Sequence, residues 1–512
     1  MAAKKAKSAA RKTAPKKRAA VKKRAATKKR AAPRKRTTKG KTRGHAPAKP
    51  RKGSSTSPTN GASSAGSPGT GSSTTPADGT VGPSGIRIRM YRVGFGDFFL
   101  LSLKTPAGDL KHILIDCGVH AGDIGTISDA VAHMATVTNN NLSLLIMTHR
   151  HADHISGFAK CKDVFSQFTV EQVWMSWFEN PNDPVAVKYQ NGMAMVAQQL
   201  TMALAARSSP GDQELKFMAE NITGPPMALG DGGGGSNAVA LKVLHGGFKN
   251  TAPVGYYKAG DPPTLPKDLL DAGLTAQILG PPHDLDLIKQ MDGKNEEYLA
   301  GNDPAVAAKI EPFDKVFRLK GSNYPKEAFH DYGRKDVEKA VSEAQPDMLA
   351  ARARQADNTL NNQSLVVLFS FNGKQLLFAG DAQWGNWENF LYGSKVGVGP
   401  NKLTDTSKKI LASLDFYKVG HHGSTNATPK DALAAMREGV VAMVSTEPGC
   451  YGKPKSGTEV PRIPLLEAIE KQTDDQLARS DQIEVGEVKA SAGLDAPGKP
   501  FSTGEGYIDY NL

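Results

Sequence analysis

Thr148-His149-Arg150-His151-Ala152-Asp153-His154 follows directly on the apolar run Leu142 to Met147, and the reading of the whole chain turns on it. The run is short, rich in large aliphatic residues and bounded by polar ones, as a buried strand should be. A strand that ends in three histidines and a carboxylate can deliver all four side chains to one point from a tight loop. Neutral imidazole and carboxylate are good ligands for zinc and similar divalent cations. With 12 histidines in 512 residues, three of them inside six positions is not the pattern of an ordinary polar surface loop.

Working outward, the same pairing of strand and polar turn recurs. Ile86 to Val93 alternates and predicts a half-buried strand, and Phe98 to Leu103 and His112 to Ile115 predict two more, the last ending at Asp116-Cys117-Gly118. A helix is expected over 125–136 and another over 184–207. Val239 to Leu244 and Ala276 to Leu279 read as strands, the second leading into Gly280-Pro281-Pro282-His283, and residues 304–356 read as mostly helical. Ser364 to Phe371 and Gln375 to Phe378 form a hairpin on Asn372-Gly373, a pair suited to a tight turn. The second of these strands ends at Gly380-Asp381. A strand over Asp415 to Val419 ends at His421-His422-Gly423-Ser424, Val440 to Val444 is a buried strand, and Ile463 to Gln472 is a helix. Strands and helices in this order predict a layered α/β domain.

The H-x-H-x-D-H spacing of His149, His151, Asp153 and His154 resembles the signature of the metallo-β-lactamase superfamily. That resemblance implies an αββα sandwich with a large mid-chain insertion, and two divalent ions, zinc foremost and manganese as the alternative. It assigns His149 and His151 to a first metal, Asp153 and His154 to a second, Asp381 to both, and His421 to the second, with His422 on the substrate side, an order of the last two that could be exchanged. Asp153 and His422 are the expected catalytic residues. A further histidine on the first metal is expected between the cluster and Asp381; the candidates are His283, which is preferred, and His245. Val93-Gly94-Phe95-Gly96-Asp97, Asp116-Cys117-Gly118, Asn361-Asn362-Gln363-Ser364-Leu365 and His421-His422-Gly423-Ser424 are together similar to the hydrolase domain of bacterial competence (DNA-uptake channel) proteins. This narrower likeness covers about 86–157 and 358–466 and implies phosphodiester hydrolysis. The stretch 158–360 does not match, and much of it is read as insertions or a cap on a domain running from 86 to 512. Asp97 and Asp116 should border the metals, Lys418 and Ser424 are possible charge-stabilising groups, and Cys117 reads as a small core residue.

Charge divides the chain. The formal net charge is +14, but residues 1–52 hold 23 Lys and Arg and no acid, the first acidic residue being Asp78. Removing those 23 from the chain's 65 leaves 42 basic residues against 51 acidic ones, a net of −9. The tail repeats units such as Ala-Pro-Lys-Lys-Arg-Ala-Ala, has no aromatic residue, and cannot bury a core, so it is expected to be disordered. It resembles linker-histone tails. Each phosphate it neutralises releases a counterion, so Lys16, Lys17, Arg18, Lys22, Lys23, Arg24, Lys28, Lys29, Arg30, Arg34, Lys35 and Arg36 are expected to bind nucleic acid, DNA ahead of RNA, without sequence preference. Residues 53–85 read as a Gly/Ser/Pro-rich linker.

Three scattered cysteines make no disulfide framework, no apolar run is long enough for a membrane span, and no apolar segment follows the basic N-terminus as in a secretory signal. The expected setting is cytoplasmic and nucleoid-associated. Three functions stay open on sequence: a nuclease or phosphodiesterase held on its polymer by the tail, a hydrolase of a small ester, thioester or lactam, and an architectural nucleoid protein with a vestigial hydrolase fold.

Overall fold

The computed structural model describes residues 81–122, 124–205, 211–222, 236–293, 296–298, 345–393, 402–452, 459–482 and 500–512. The basic tail, all but the last five residues of the linker, and 304–344 of the expected helical stretch lie outside the described residues.

Most strands are near-continuous apolar runs buried on both faces, and so need a covering layer on each. β1 (Ile86–Tyr91), β2 (Phe98–Lys104), β3 (Leu110–Cys117), β4 (Asn141–Met147), β5 (Thr169–Ser176) and β6 (Val254–Tyr257) lie side by side in one sheet. β7 (Thr275–Gly280), β8 (Val366–Phe371), β9 (Lys374–Phe378), β10 (Phe416–Lys418), β11 (Val441–Val444) and β12 (Leu477–Arg479) form the second. The chain then returns to the first sheet with β13 (Phe501–Gly504) and β14 (Tyr507–Asn511), giving the orders β13-β14-β1-β2-β3-β4-β5-β6 and β12-β11-β10-β9-β8-β7. In both sheets an antiparallel part leads into a parallel one: five antiparallel strands, β13, β14, β1, β2 and β3, in the first, and three, β7, β8 and β9, in the second.

The core between the sheets takes Ile86, Ile88 and Met90 from one side and Val367, Phe369 and Phe371 from the other. On the outer face of the first sheet lie α1 (Ile127–Thr138) and α2 (Ala152–Lys160). The long α3 (Pro184–Leu204), with Asp183 capping its first turn, packs with α4 (Gly211–Ile222), while α5 (Ser236–Leu244) packs on α2 and α6 (Gln345–Asn361) packs on α3. α7 (Trp384–Tyr392), α8 (Asp405–Ala412), α9 (Lys430–Ala435) and α10 (Ile463–Gln472) cover the outer face of the second sheet. The layering is αββα, as expected.

Three expectations change. Val239 to Leu244 is helical, inside α5; a short, mostly apolar stretch fits a buried helix as well as a strand, and only the packing on α2 decides. β1 is buried on both faces, because β14 pairs along it and Asp509 takes both guanidinium arms of Arg89 at 2.7 Å. The 158–360 stretch is not all insertion: β5, β6 and β7 from it complete the two sheets. Among the described residues, no helix is long and apolar enough to cross a membrane.

The approach of β3 to α2 leaves no room for a side chain at Gly118, where a Cβ would run into the backbone of Asp153 and His154. Gly118→Ala should therefore lower stability by about 1–3 kcal/mol, seen as a fall in Tm. Gly192→Ala, in open space within α3, should be neutral or slightly stabilising. Equal melting of the two variants would refute the close approach.

Candidate metal centre

The candidate ligands sit where the parallel strands end. Asp116 closes β3, the His cluster follows β4, Asp381 follows β9, and His421 and His422 follow β10. Asp116 adopts φ 54° and turns its carboxylate across to the next strand. There Oδ1 accepts from the Thr148 amide at 2.8 Å and Oδ2 from the Thr148 hydroxyl at 2.6 Å. Oδ2 also lies 2.7 Å from Nδ1 of His154. That bond holds a proton on Nδ1 and leaves Nε2 as the nitrogen able to bind a cation.

His154 Nε2 lies 3.1 Å from Asp381 Oδ2, and His422 Nε2 lies 3.2 Å from Asp153 Oδ2 and 3.5 Å from Asp381 Oδ2. One ligand atom from each of Asp153, His154, Asp381 and His422 falls within 4.8 Å of the others, a spacing that can hold a metal ion. Burial pushes both carboxyls up, but neighbouring imidazoles outweigh it: His422 and His154 hold Asp153 far below the usual carboxylate range, and His154 and His422 do the same for Asp381. Burial lowers His154, yet Asp381 and Asp116 raise it well above the ordinary histidine value. His149 is the opposite case: burial, then His154 and His151, keep it well below that value and so neutral. Its Nδ1 lies 3.2 Å from the Ser364 hydroxyl, while its Nε2 is buried with no hydrogen-bond partner among the described residues. A buried imidazole nitrogen with a free lone pair, beside two further imidazoles at ring distances of 4.7 and 4.1 Å, fits a cation.

The two histidines after β10 exchange their expected places. His421 and His422 both have left-handed backbones, φ 44° and 51°, in a turn that directs the side chains to different sides. His422 is buried, its Nδ1 on the Ser445 carbonyl at 2.8 Å and its ring 4.3 Å from that of Phe95, so Nε2 faces Asp153 and Asp381. His421 Nδ1 is within 3.0 Å of Asn426 Oδ1 and its Nε2 within 3.2 Å of Asn361 Nδ2, which leaves no free nitrogen. His421 therefore lines the cavity, and His422 joins the cation-holding group.

His283 is not at the centre: its Nε2 pairs with Asp183 at 2.8 Å, and its ring lies against Trp177. His245 ends up near Tyr256 on the outer face of the first sheet. Lys418 is buried in an ion pair with Asp97 and bonded to the Gly380 carbonyl at 3.1 Å; it does not line the cavity. Cys117 is buried, and burial pushes its thiol up.

The cavity over the site measures about 260 Å³. His151, Asp153, Asp381, His421 and His422 form its floor. Phe95, His120, Phe217 and Tyr451 form an aromatic wall, with Phe95 and Tyr451 stacked at 6.0 Å, and Asp292 and Glu297 add acid on another side. Among the described residues no Lys or Arg lines it. Of the wall residues only Phe95 lay in a motif; His120, Phe217, Tyr451, Asp292 and Glu297, and Asp357 beside His151, had none to mark them.

No protein-family model matches the chain, and no curated protein matches it. The solved structure of a beta-lactamase domain protein from Burkholderia ambifaria is similar at 15% identity over 40% of this chain, with a TM-score of 0.21. The chain spans about half of that protein, 49% of its length.

Burial, with Asp292 nearby, pushes the Glu297 carboxyl up to about 7. Between its ordinary 4.5 and 7 the folded chain holds a proton that the unfolded chain has lost, so this group's contribution to stability declines as pH rises through that window. Glu297→Gln removes the titration. Its Tm relative to wild type should be more favourable at pH 8 than at pH 5, and an offset that does not change with pH would refute the shifted carboxyl.

Proposed function

We propose that this chain is a metal-dependent hydrolase, and the observation that carries the reading is the meeting of Asp153, His154, Asp381 and His422 beside the unpartnered nitrogen of His149, at the floor of a cavity. His149 and His151 would hold one ion, Asp153, His154 and His422 the other, and Asp381 would serve both. Such ions, when bound, acidify a water and offset negative charge on the substrate's oxygens. The chain's own groups fix the ligands. Asp116 keeps the proton on His154 Nδ1, the Ser445 carbonyl keeps it on His422 Nδ1, and Lys418 balances the charge of Asp97 behind them. Within the cavity, His421, Asn361 and Ser424 are among the polar groups that can meet a substrate.

We assign the substrate to phosphodiesters, with the chain held on nucleic acid by its tail. The acid-free run of 23 basic residues supports this, as does the likeness of the site motifs to the competence hydrolases. The flat faces of Phe95, Phe217 and Tyr451 suit a base lifted out of a strand. A second reading, a small ester, thioester or lactam, is favoured by the modest volume and by the acidic side chains in place of Lys and Arg.

Full-length protein loaded with zinc or manganese is incubated with labelled single- and double-stranded DNA and RNA. We expect cleavage, falling by about 100-fold or more in Asp153→Ala and His422→Ala, with single strands preferred. Loaded protein that cuts none of the four polymers yet hydrolyses an aryl ester or thioester would overturn the phosphodiester assignment and keep the hydrolase.

Deleting residues 1–85 should weaken binding to long DNA and flatten its dependence on salt, read by fluorescence anisotropy across a salt series. Unchanged affinity in the deletion would remove the tail from nucleic-acid binding.

A further inference from the structure

His151 belongs to the expected ligand set, yet the contact that orients it comes from the helical stretch that no motif covers. Its Nε2 lies 3.1 Å from the backbone carbonyl of Asp357 and 3.2 Å from that residue's Oδ1, both near the end of α6. A backbone carbonyl only accepts, so Nε2 is the donor here. A neutral imidazole that donates from Nε2 carries its lone pair on Nδ1. The Asp357 carboxylate is itself held: Asn221 Nδ2, at the end of α4, donates to Oδ1 at 2.9 Å. Asn221 Oδ1 in turn accepts from the Ala152 amide at 3.3 Å and from Asn237 Nδ2 at 3.1 Å. Asn237, in the first turn of α5, also donates to the Arg150 carbonyl at 3.0 Å. Asp357, Asn221 and Asn237 are all buried.

We propose that Asp357 is a positioning residue for the first metal: it fixes the His151 tautomer and ring so that Nδ1 is the nitrogen presented to the ion, and α4, α5 and α6 form the scaffold that aims it. This rests on the metal-dependent reading above. It gives the non-matching stretch a task, since three of its helices reach the backbone and side chains of the ligand loop. It also accounts for the missing extra histidine: neither His283 nor His245 reaches this side, and what stands beside His151 is an oriented carboxylate. Carboxylate–histidine pairs of this kind change metal affinity by about 10–100-fold when broken.

The test is metal binding, read apart from turnover. Full-length apo-protein is titrated with Zn²⁺ against a chromophoric chelator, and the Co²⁺-loaded protein is followed by visible absorption. Wild type should take up two ions. Asp357→Ala should lower the affinity of one by about 10–100-fold and alter its Co²⁺ bands while leaving the other ion unchanged; Asp357→Asn, which keeps an acceptor, should fall between. Tyr189→Phe, which removes the 3.0 Å bond from Tyr189 to Thr359 that anchors α6 without touching His151, should bind as wild type. Asp357→Ala binding both ions within twofold of wild type, or Tyr189→Phe losing as much as Asp357→Ala, overturns the assignment but not the metal centre. A folded wild type that takes up no ion overturns both.

Discussion

The buried carboxylate of Asp116 is the constraint on which the rest of the centre depends. It takes two hydrogen bonds from Thr148 and one from His154, and so ties the end of β3 to the loop after β4 and the first turn of α2. An ionised carboxylate held away from water is tolerated only when its oxygens are satisfied. Here burial raises the group, and His154 is the main neighbour that offsets it. That debt is passed along. His154 must then face Asp381, and Asp381 must face His422, so the geometry of four elements follows from one buried charge.

The sum of these charges points the same way. Asp97, Asp116, Asp153 and Asp381 crowd one small region, and among the described residues Lys418 is the permanently cationic side chain that pairs with them. Imidazoles among these acids are driven to opposite extremes, His154 well up and His149 well down. A protein that wanted only stability would do better with apolar packing in this volume. Buried acids with too little fixed positive charge, and a neutral imidazole with an unused lone pair, together make a place where divalent cations complete the balance.

How much of this the sequence disclosed depended on whether the chemistry was local. The cluster His149 to His154 was legible because its members are adjacent and follow an apolar run. Asp381 was legible because β9 and its Asn372-Gly373 turn are, the pair adopting φ 48° and 76° as a tight hairpin requires. The choice between His421 and His422 was not, since it depends on two successive left-handed histidines set between Gly420 and Gly423. Asp357 was illegible for another reason. It is one of two acids in a helix that carries no motif, and its meaning comes from Asn221 and Asn237, each more than a hundred residues away along the chain. The membership of β5, β6 and β7 in the sheets was hidden by long intervening helices, and the partners that bury β1 arrive only at Phe501 to Asn511.

The contrast between tail and cavity sharpens the proposed division of labour. On the proposed reading a tail that excludes acids would attract a polyanion, whereas the cavity, lined by Asp153, Asp292, Glu297 and Asp381, would repel one. On the reading offered here the polymer is therefore captured at one place and processed at another. Only an ion-loaded centre presents enough positive charge to admit a phosphate among those acids. Metal occupancy would then govern entry of the substrate as well as its hydrolysis, and the tail would raise the local concentration of a polymer that the bare cavity rejects.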